Sequence, residues 1–163
     1  MIFLFVSLIL SGLQASLHFL PFALPAFWFT VMVYYSFEKP LLFSLIANSF
    51  HIFVLTEYTS ASLAPLLFSM NIVSLVLVFL RGRFHLGMLE KTTATAISFL
   101  SFQLSYWILA SWFLDQFYYP NLLAWLGMAL VTTLAFPLVF VFLKMIDSRL
   151  NTQRVDTLEI LRV

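Results

Sequence analysis

Few residues in this chain are equipped for chemistry. There are three histidines, His18, His51 and His85, and no cysteine, which excludes thiolate nucleophiles, disulfides and Cys-ligated metals. Long uncharged stretches separate the histidines, so they fall at three different depths of the fold predicted below, and no shared metal site is expected. Glu57 and Asp115 each stand alone between two uncharged runs. They could meet as a carboxylate pair for proton transfer or cation binding; the simpler reading is that each keeps a short turn in water. No Walker loop, dinucleotide-binding glycine pattern or HExxH motif occurs, and no nucleophile has a base beside it. The inventory predicts no enzyme, no metal and no cofactor.

A second set of residues is polar without being charged. Ser44, Asn48 and His51 recur at i, i+4 and i+7, which places them on one face of a helix. Antiparallel pairing of the apolar segments puts Asn48, Asn71 and Gln103 at one level. An amide in an apolar layer must find a partner or lose several kcal/mol in unmet hydrogen bonding. One reading is a polar pocket or a proton or substrate route. The other is interhelical glue. Glue is favoured, because the amides are neutral and His51 is the only ionisable member.

Small residues form two further patterns. Ser7, Ser11 and Ala15 recur every four residues, with Gly12 beside them; Ala94, Ser98, Ser101 and Ser105 follow at spacings of four, three and four. Such stripes let helix backbones approach closely. Two of them suggest that at least one is offered to the helix of another protein.

The elements that must position these residues follow from composition. Of the 163 residues 63% are hydrophobic and only 9% charged, against about 25% charged in a soluble domain. Eight basic and seven acidic side chains cannot solvate such a globule, so a soluble or disordered protein is excluded. Charge is absent from 1–37, 40–56, 58–80, 92–114 and 116–143. Crossing a hydrocarbon layer of roughly 30 Å takes about 20 helical residues. The first run is too long for one helix and is broken by Pro21 and Pro25, which predicts a hairpin turning at His18 to Pro21. The prediction is an all-α polytopic membrane protein with a single domain over 1–146. Its six transmembrane helices lie at about 2–18, 22–37, 40–56, 63–80, 93–114 and 120–143, and a short cytoplasmic tail covers 147–163. Whether the first 37 residues make one span or two stays open. A cleaved leader is not expected, because no Lys or Arg precedes the first apolar run. Tyr34, Tyr35, Tyr58, Tyr106, Trp112, Tyr118 and Tyr119 fall near span ends, as an aromatic belt would. Pro137 lies inside the last span and is expected to kink it.

Orientation follows from the cations. With both termini inside, Lys39, Arg81, Arg83, Lys91, Lys144, Arg149, Arg154 and Arg162 all fall on the cytoplasmic side, as the positive-inside bias requires. The arginines at 81 and 83, with Lys91, Lys144 and Arg149, form a basic inner rim suited to anionic lipid. The tail offers Leu150, Leu158 and Leu161 as a thin apolar stripe for a cytoplasmic partner.

The run from Leu134 through Pro137 to Lys144, followed by Asp147 and Arg149, resembles the last span of the rod shape-determining MreD family. The fourth span ending in Arg81, Gly82, Arg83 and Phe84 is similar to that family's corresponding helix and basic loop. The resemblance extends weakly over nearly the whole chain. Members commonly carry a Gly-rich, Asp-containing stretch in the third span, where this sequence has Ala47, Asn48 and His51, so that acid's role is unassigned here. The resemblance implies a six-helix fold like the substrate-binding subunits of energy-coupling-factor transporters. It also implies a non-enzymatic scaffold in the bacterial inner membrane, binding the single-span protein MreC within the elongasome. That assembly joins MreB filaments to the polymerase RodA and a transpeptidase during lateral peptidoglycan synthesis. A homodimer stays open, and no nucleic acid is implied. The alternative function is a small-molecule, vitamin-like binding subunit of a membrane transporter.

Overall fold

The computed structural model describes residues 9, 26–58, 62–83, 87–114 and 121–160; for 58, 114 and 150–160 only the backbone is described. These residues form five helices and no strand: α1 Phe27–Glu38, α2 Leu41–Tyr58, α3 Leu63–Arg83, α4 Met88–Leu114 and α5 Leu122–Ile160. Three of them, Leu63–Arg83, Met88–Phe113 and the Leu122–Arg149 part of α5, are long and apolar enough to cross a membrane; the apolar part of α2, Leu41–Glu57, is shorter. The expected first span, with Ser7, Ser11, Gly12 and Ala15, the hairpin turn, and the Glu57–Asp115 pairing lie outside the described residues.

Helix limits follow local chemistry. Lys39 precedes a proline and is held extended, at φ −112° and ψ 157°, which ends α1. Pro40 then accepts from the Ser44 N–H at 2.9 Å and opens α2, where its own missing N–H is not needed. Asn121 caps α5 by accepting the Ala124 N–H on its side chain at 3.2 Å. Within α5, Pro137 removes the N–H that would bond the Thr133 carbonyl, while the helix continues on both sides. At 39 residues α5 is about 58 Å long, and its helical backbone continues to Ile160, through the first part of the segment 147–163 read as the tail.

The arrangement around α1 governs the rest. Helices α2, α3, α4 and α5 pack in that order, each on the next, and α1 touches all four. Phe29 to Phe37 are all buried. A helix apolar on every side is suited to full burial, here inside a ring of four helices. With 12 residues α1 is about 18 Å long, short of the roughly 30 Å a single crossing needs, and it starts five residues later than the sequence suggests. Its direction is fixed at both ends. The Ala26 N–H donates to Thr132 Oγ1 at 2.9 Å, and Lys39 pairs with Asp147 at 2.5 Å, so α1 runs parallel to α5. Thr132 lies ten residues into α5, so α1 starts about 15 Å below the far end of that helix.

Aromatic packing fills the interior. Phe29 meets Phe99 edge-on at 4.8 Å between centroids and tilts against Phe102 at 5.6 Å. Tyr34 and Tyr35 are fully enclosed, Tyr34 against Phe140 and Tyr35 against the His51 ring. They are core residues and not part of an aromatic belt, because the ring of helices closes over α1. Trp112, 81% exposed, does face outward. The outer faces of α2 to α5 are apolar, with Leu42, Leu123 and Leu138 each more than two-thirds exposed. A surface of this kind belongs in lipid.

Candidate functional site

Three polar or small-residue assemblies stand out against this apolar frame. The first is built on Asn48, carried into the centre by the second turn of α2. Its Nδ2 donates to Ser74 Oγ at 2.8 Å and lies 3.4 Å from Ser36 Oγ, Ser44 Oγ and the Met32 carbonyl. Ser36 and Ser44 touch each other at 3.2 Å. That nearby carbonyl fixes the amide orientation, since the opposite flip would set one acceptor against another. Asn48 Oδ1 has no partner among the described residues. All four side chains are fully buried, and the assembly clamps α1, α2 and α3 together.

His51 lies beside it on the predicted face. A carbonyl can only accept, so the 2.8 Å contact from Nδ1 to the Ala47 oxygen places the imidazole proton on Nδ1. Asn71 and Gln103 do not join this assembly. Gln103 reaches across to Met128 Sδ at 3.9 Å, and the amide oxygens of Asn71 and Gln103 have no partner among the described residues. The shared level therefore does not produce a shared site. Instead α1, too short to be a peripheral span, sits between the segments and supplies Ser36 and a carbonyl. Ser74, one turn from Asn71, was legible as a same-face partner; Ser36 was not.

The second assembly closes the basic end. Lys39 pairs with Asp147, which also accepts from the Tyr34 hydroxyl at 3.3 Å. Lys91 pairs with Glu38 at 2.7 Å and lies over the Phe140 ring at 4.5 Å. Arg81 donates to the Phe37 and Lys39 carbonyls at 3.0 and 2.7 Å, binding carbonyls at the C-terminus of α1 that the helix itself leaves open. Lys39, Arg81 and Lys91 are thus structural in part and not simply a solvated rim. Arg83 lies over Phe79 at 5.0 Å, and Arg83, Lys144 and Arg149 are exposed at the same end. No sequence spacing announces these pairs, because their members lie 53 and 108 residues apart.

The third is a groove between α3 and α4. Ile72, Val76 and Leu80 form one wall; Ala94, Ser98, Ser101 and Ser105 run along the other, and Glu90 stands at the basic end. Its volume is about 460 Å³. The whole predicted α4 stripe therefore lines one cleft. Thr92, Thr93 and Thr95 each return a hydroxyl hydrogen bond to the carbonyl four residues back. Among the described residues Ser98, Ser101 and Ser105 make no hydrogen bond.

No group of three or more His, Asp or Glu side chains that could hold a metal occurs among the described residues. Chemically, the Asn48 assembly and the ion pairs hold helices together, and the groove presents unfilled apolar space edged by hydroxyls. Comparison with protein-family models, with curated proteins and with solved structures returned no match.

Proposed function

We propose that this chain is a non-enzymatic membrane scaffold that works through helix–helix contact. One observation carries the reading: the small-residue stripe of α4 lines an apolar groove between α3 and α4, with Ser98 buried at its side and Ser101 exposed along it. In lipid, helices associate through close backbone approach and interhelical hydrogen bonds, and a stripe left in a cleft is a surface of that kind. The cations gathered at one end support a cytoplasmic assignment for that end in a bacterial inner membrane, with both termini inside and six spans in all. The first two spans then need residues N-terminal to α1. Resemblance to the MreD family extends the proposal to the elongasome, with an MreC-like single-span protein as partner and RodA, a transpeptidase and MreB filaments in the same assembly. It also supports a fold like the substrate-binding subunits of energy-coupling-factor transporters.

The transporter-subunit alternative gains less from the structure, because the Asn48 assembly is a packed set of hydrogen bonds and not a cavity. The experiment is co-purification of the full-length chain from native membranes, beside thermal melting in detergent with candidate vitamins. Scaffolding predicts a stoichiometric single-span partner and an unmoved melting temperature. A vitamin at a hundred times its Kd would add about 2.7 kcal/mol of stability, and that result without any protein partner would overturn the proposal.

A further inference from the structure

We propose that the α3–α4 groove seats one transmembrane helix of another protein, with small residues turned toward Ser98 and a lysine or arginine placed against Glu90. This rests on the scaffold reading and specifies the chemistry of its partner. Ser98 is 8% exposed, lines the groove and has no hydrogen-bond partner among the described residues. Ser101 and Ser105 continue the row of hydroxyls along the same wall. A hydroxyl in an apolar cleft needs an acceptor, and leaving it without one is costly. An acyl chain has none. A helix that approaches closely through glycine, alanine or serine brings its own backbone carbonyls and hydroxyls within reach.

Glu90 selects among helices. It stands in the first turn of α4 at the basic end of the groove, exposed, with its carboxylate lying over Gly87 at the helix start, and forms no ion pair among the described residues. A transmembrane helix flanked by Lys or Arg on the side of this rim supplies the missing cation. Residues 1–37 of this chain hold no Lys or Arg side chain to offer it. A second copy related by a twofold axis would set groove against groove, leaving the cleft unfilled, and would bring two Glu90 carboxylates together.

The test uses the full chain in phosphatidylcholine vesicles, with energy transfer to three synthetic single-span peptides on one Leu/Ala background. The first carries a Gly-x-x-x-Gly face and a terminal Lys pair, the second the same face with a terminal Glu pair, and the third a Leu face with the Lys pair. The first should bind about fivefold more tightly than the second, the scale of one interfacial ion pair, and the third should not saturate. Glu90→Lys, an exposed change that leaves the fold intact, should invert the order of the first two. Ser98→Leu should weaken the first at least about tenfold, the loss expected when a close helix contact is blocked. Equal binding of all three peptides would overturn the proposal and assign the groove to lipid. Energy transfer between differently labelled copies that Ser98→Leu abolishes would overturn it in favour of a dimer. A co-purifying single-span partner retained undiminished by Ser98→Leu would remove the groove while leaving the scaffold reading in place. Absence of any partner in native membranes would remove the scaffold reading itself.

Discussion

Asp147→Ala isolates the tie between α5 and the enclosed α1. The carboxylate accepts from both Lys39 and Tyr34, and the Lys39 and Asp147 side chains are 19% and 20% exposed. Its removal takes away the carboxylate that the Lys39 ammonium and the Tyr34 phenol share. Breaking a fully buried pair costs about 3–5 kcal/mol, mostly because the surviving charge is stranded. With a fifth of each side chain open to solvent, the lysine regains part of its hydration, which brings the expected loss to about 2–3 kcal/mol. For a chain of this size that corresponds to a fall in Tm of roughly 5–10 °C. The assay is thermal melting of full-length protein in one detergent. Lys144→Met serves as control, since Lys144 is exposed on the same helix and its loss should move stability by less than about 0.5 kcal/mol. The double variant with Lys39→Met should be less damaged than the two single losses summed, with a coupling of about 1–3 kcal/mol. Equal melting of Asp147→Ala and Lys144→Met, or strict additivity in the cycle, would refute the pairing as a structural tie.

Three further outcomes follow from the buried contacts. Asn48→Ala removes the shared donor of the α1, α2 and α3 clamp and should cost about 1–3 kcal/mol in melting experiments, while Asn71→Ala, whose amide oxygen has no described partner, should cost less. Thr132→Val keeps the shape of the side chain but deprives the buried Ala26 N–H of its acceptor. It should lower stability by about 1–3 kcal/mol, and Thr132→Ser should restore most of that loss. Phe29→Ala opens a void between α1 and α4 and should cost about 3–5 kcal/mol, visible as a lower Tm and as faster proteolysis in detergent.

The helical, apolar character of the chain was legible because it depends only on where charge is missing. The expected starts of α2 and α3, at 40 and 63, sit within a residue of Leu41 and Leu63, since Pro40 and Pro65 are local signals. The five-residue delay in α1 and the continuation of α5 past 147 were not legible. The first depends on a tertiary contact, Ala26 to Thr132, and nothing at 147 distinguishes a helix leaving the apolar layer from one that stops. The Ser44, Asn48 and His51 face was readable from 3.6-residue periodicity, and all three are buried. Its partners came from helices whose order around α1 no periodicity encodes. Tyr34 and Tyr35 misled for the same reason. A tyrosine near a charge break reads as interfacial, but an aromatic helix enclosed on four sides carries the same pattern inward.

The distribution of polar groups ties fold to function. Inside an apolar layer most hydroxyls and amides are satisfied within the chain, while the Ser69 and Ser111 hydroxyls and the Asn48, Asn71 and Gln103 amide oxygens have no partner among the described residues. Ser36, Ser44, Ser74 and the Asn48 amide nitrogen satisfy one another, Thr132 holds the start of α1, and the α4 threonines bond to their own backbone. Cations at the basic end show the same economy, with Lys39 and Lys91 paired and Arg81 bound to α1 carbonyls. Ser98, Ser101 and Ser105 break this pattern together, on one wall of one groove, within a few turns of an acid that also lacks a described pair. Threonines on the same helix show that back-bonding is available there, yet the three serines do not use it. Lone lapses of this kind are ordinary in a packed core; three in register along a cleft are the feature on which the proposed helix-binding surface rests.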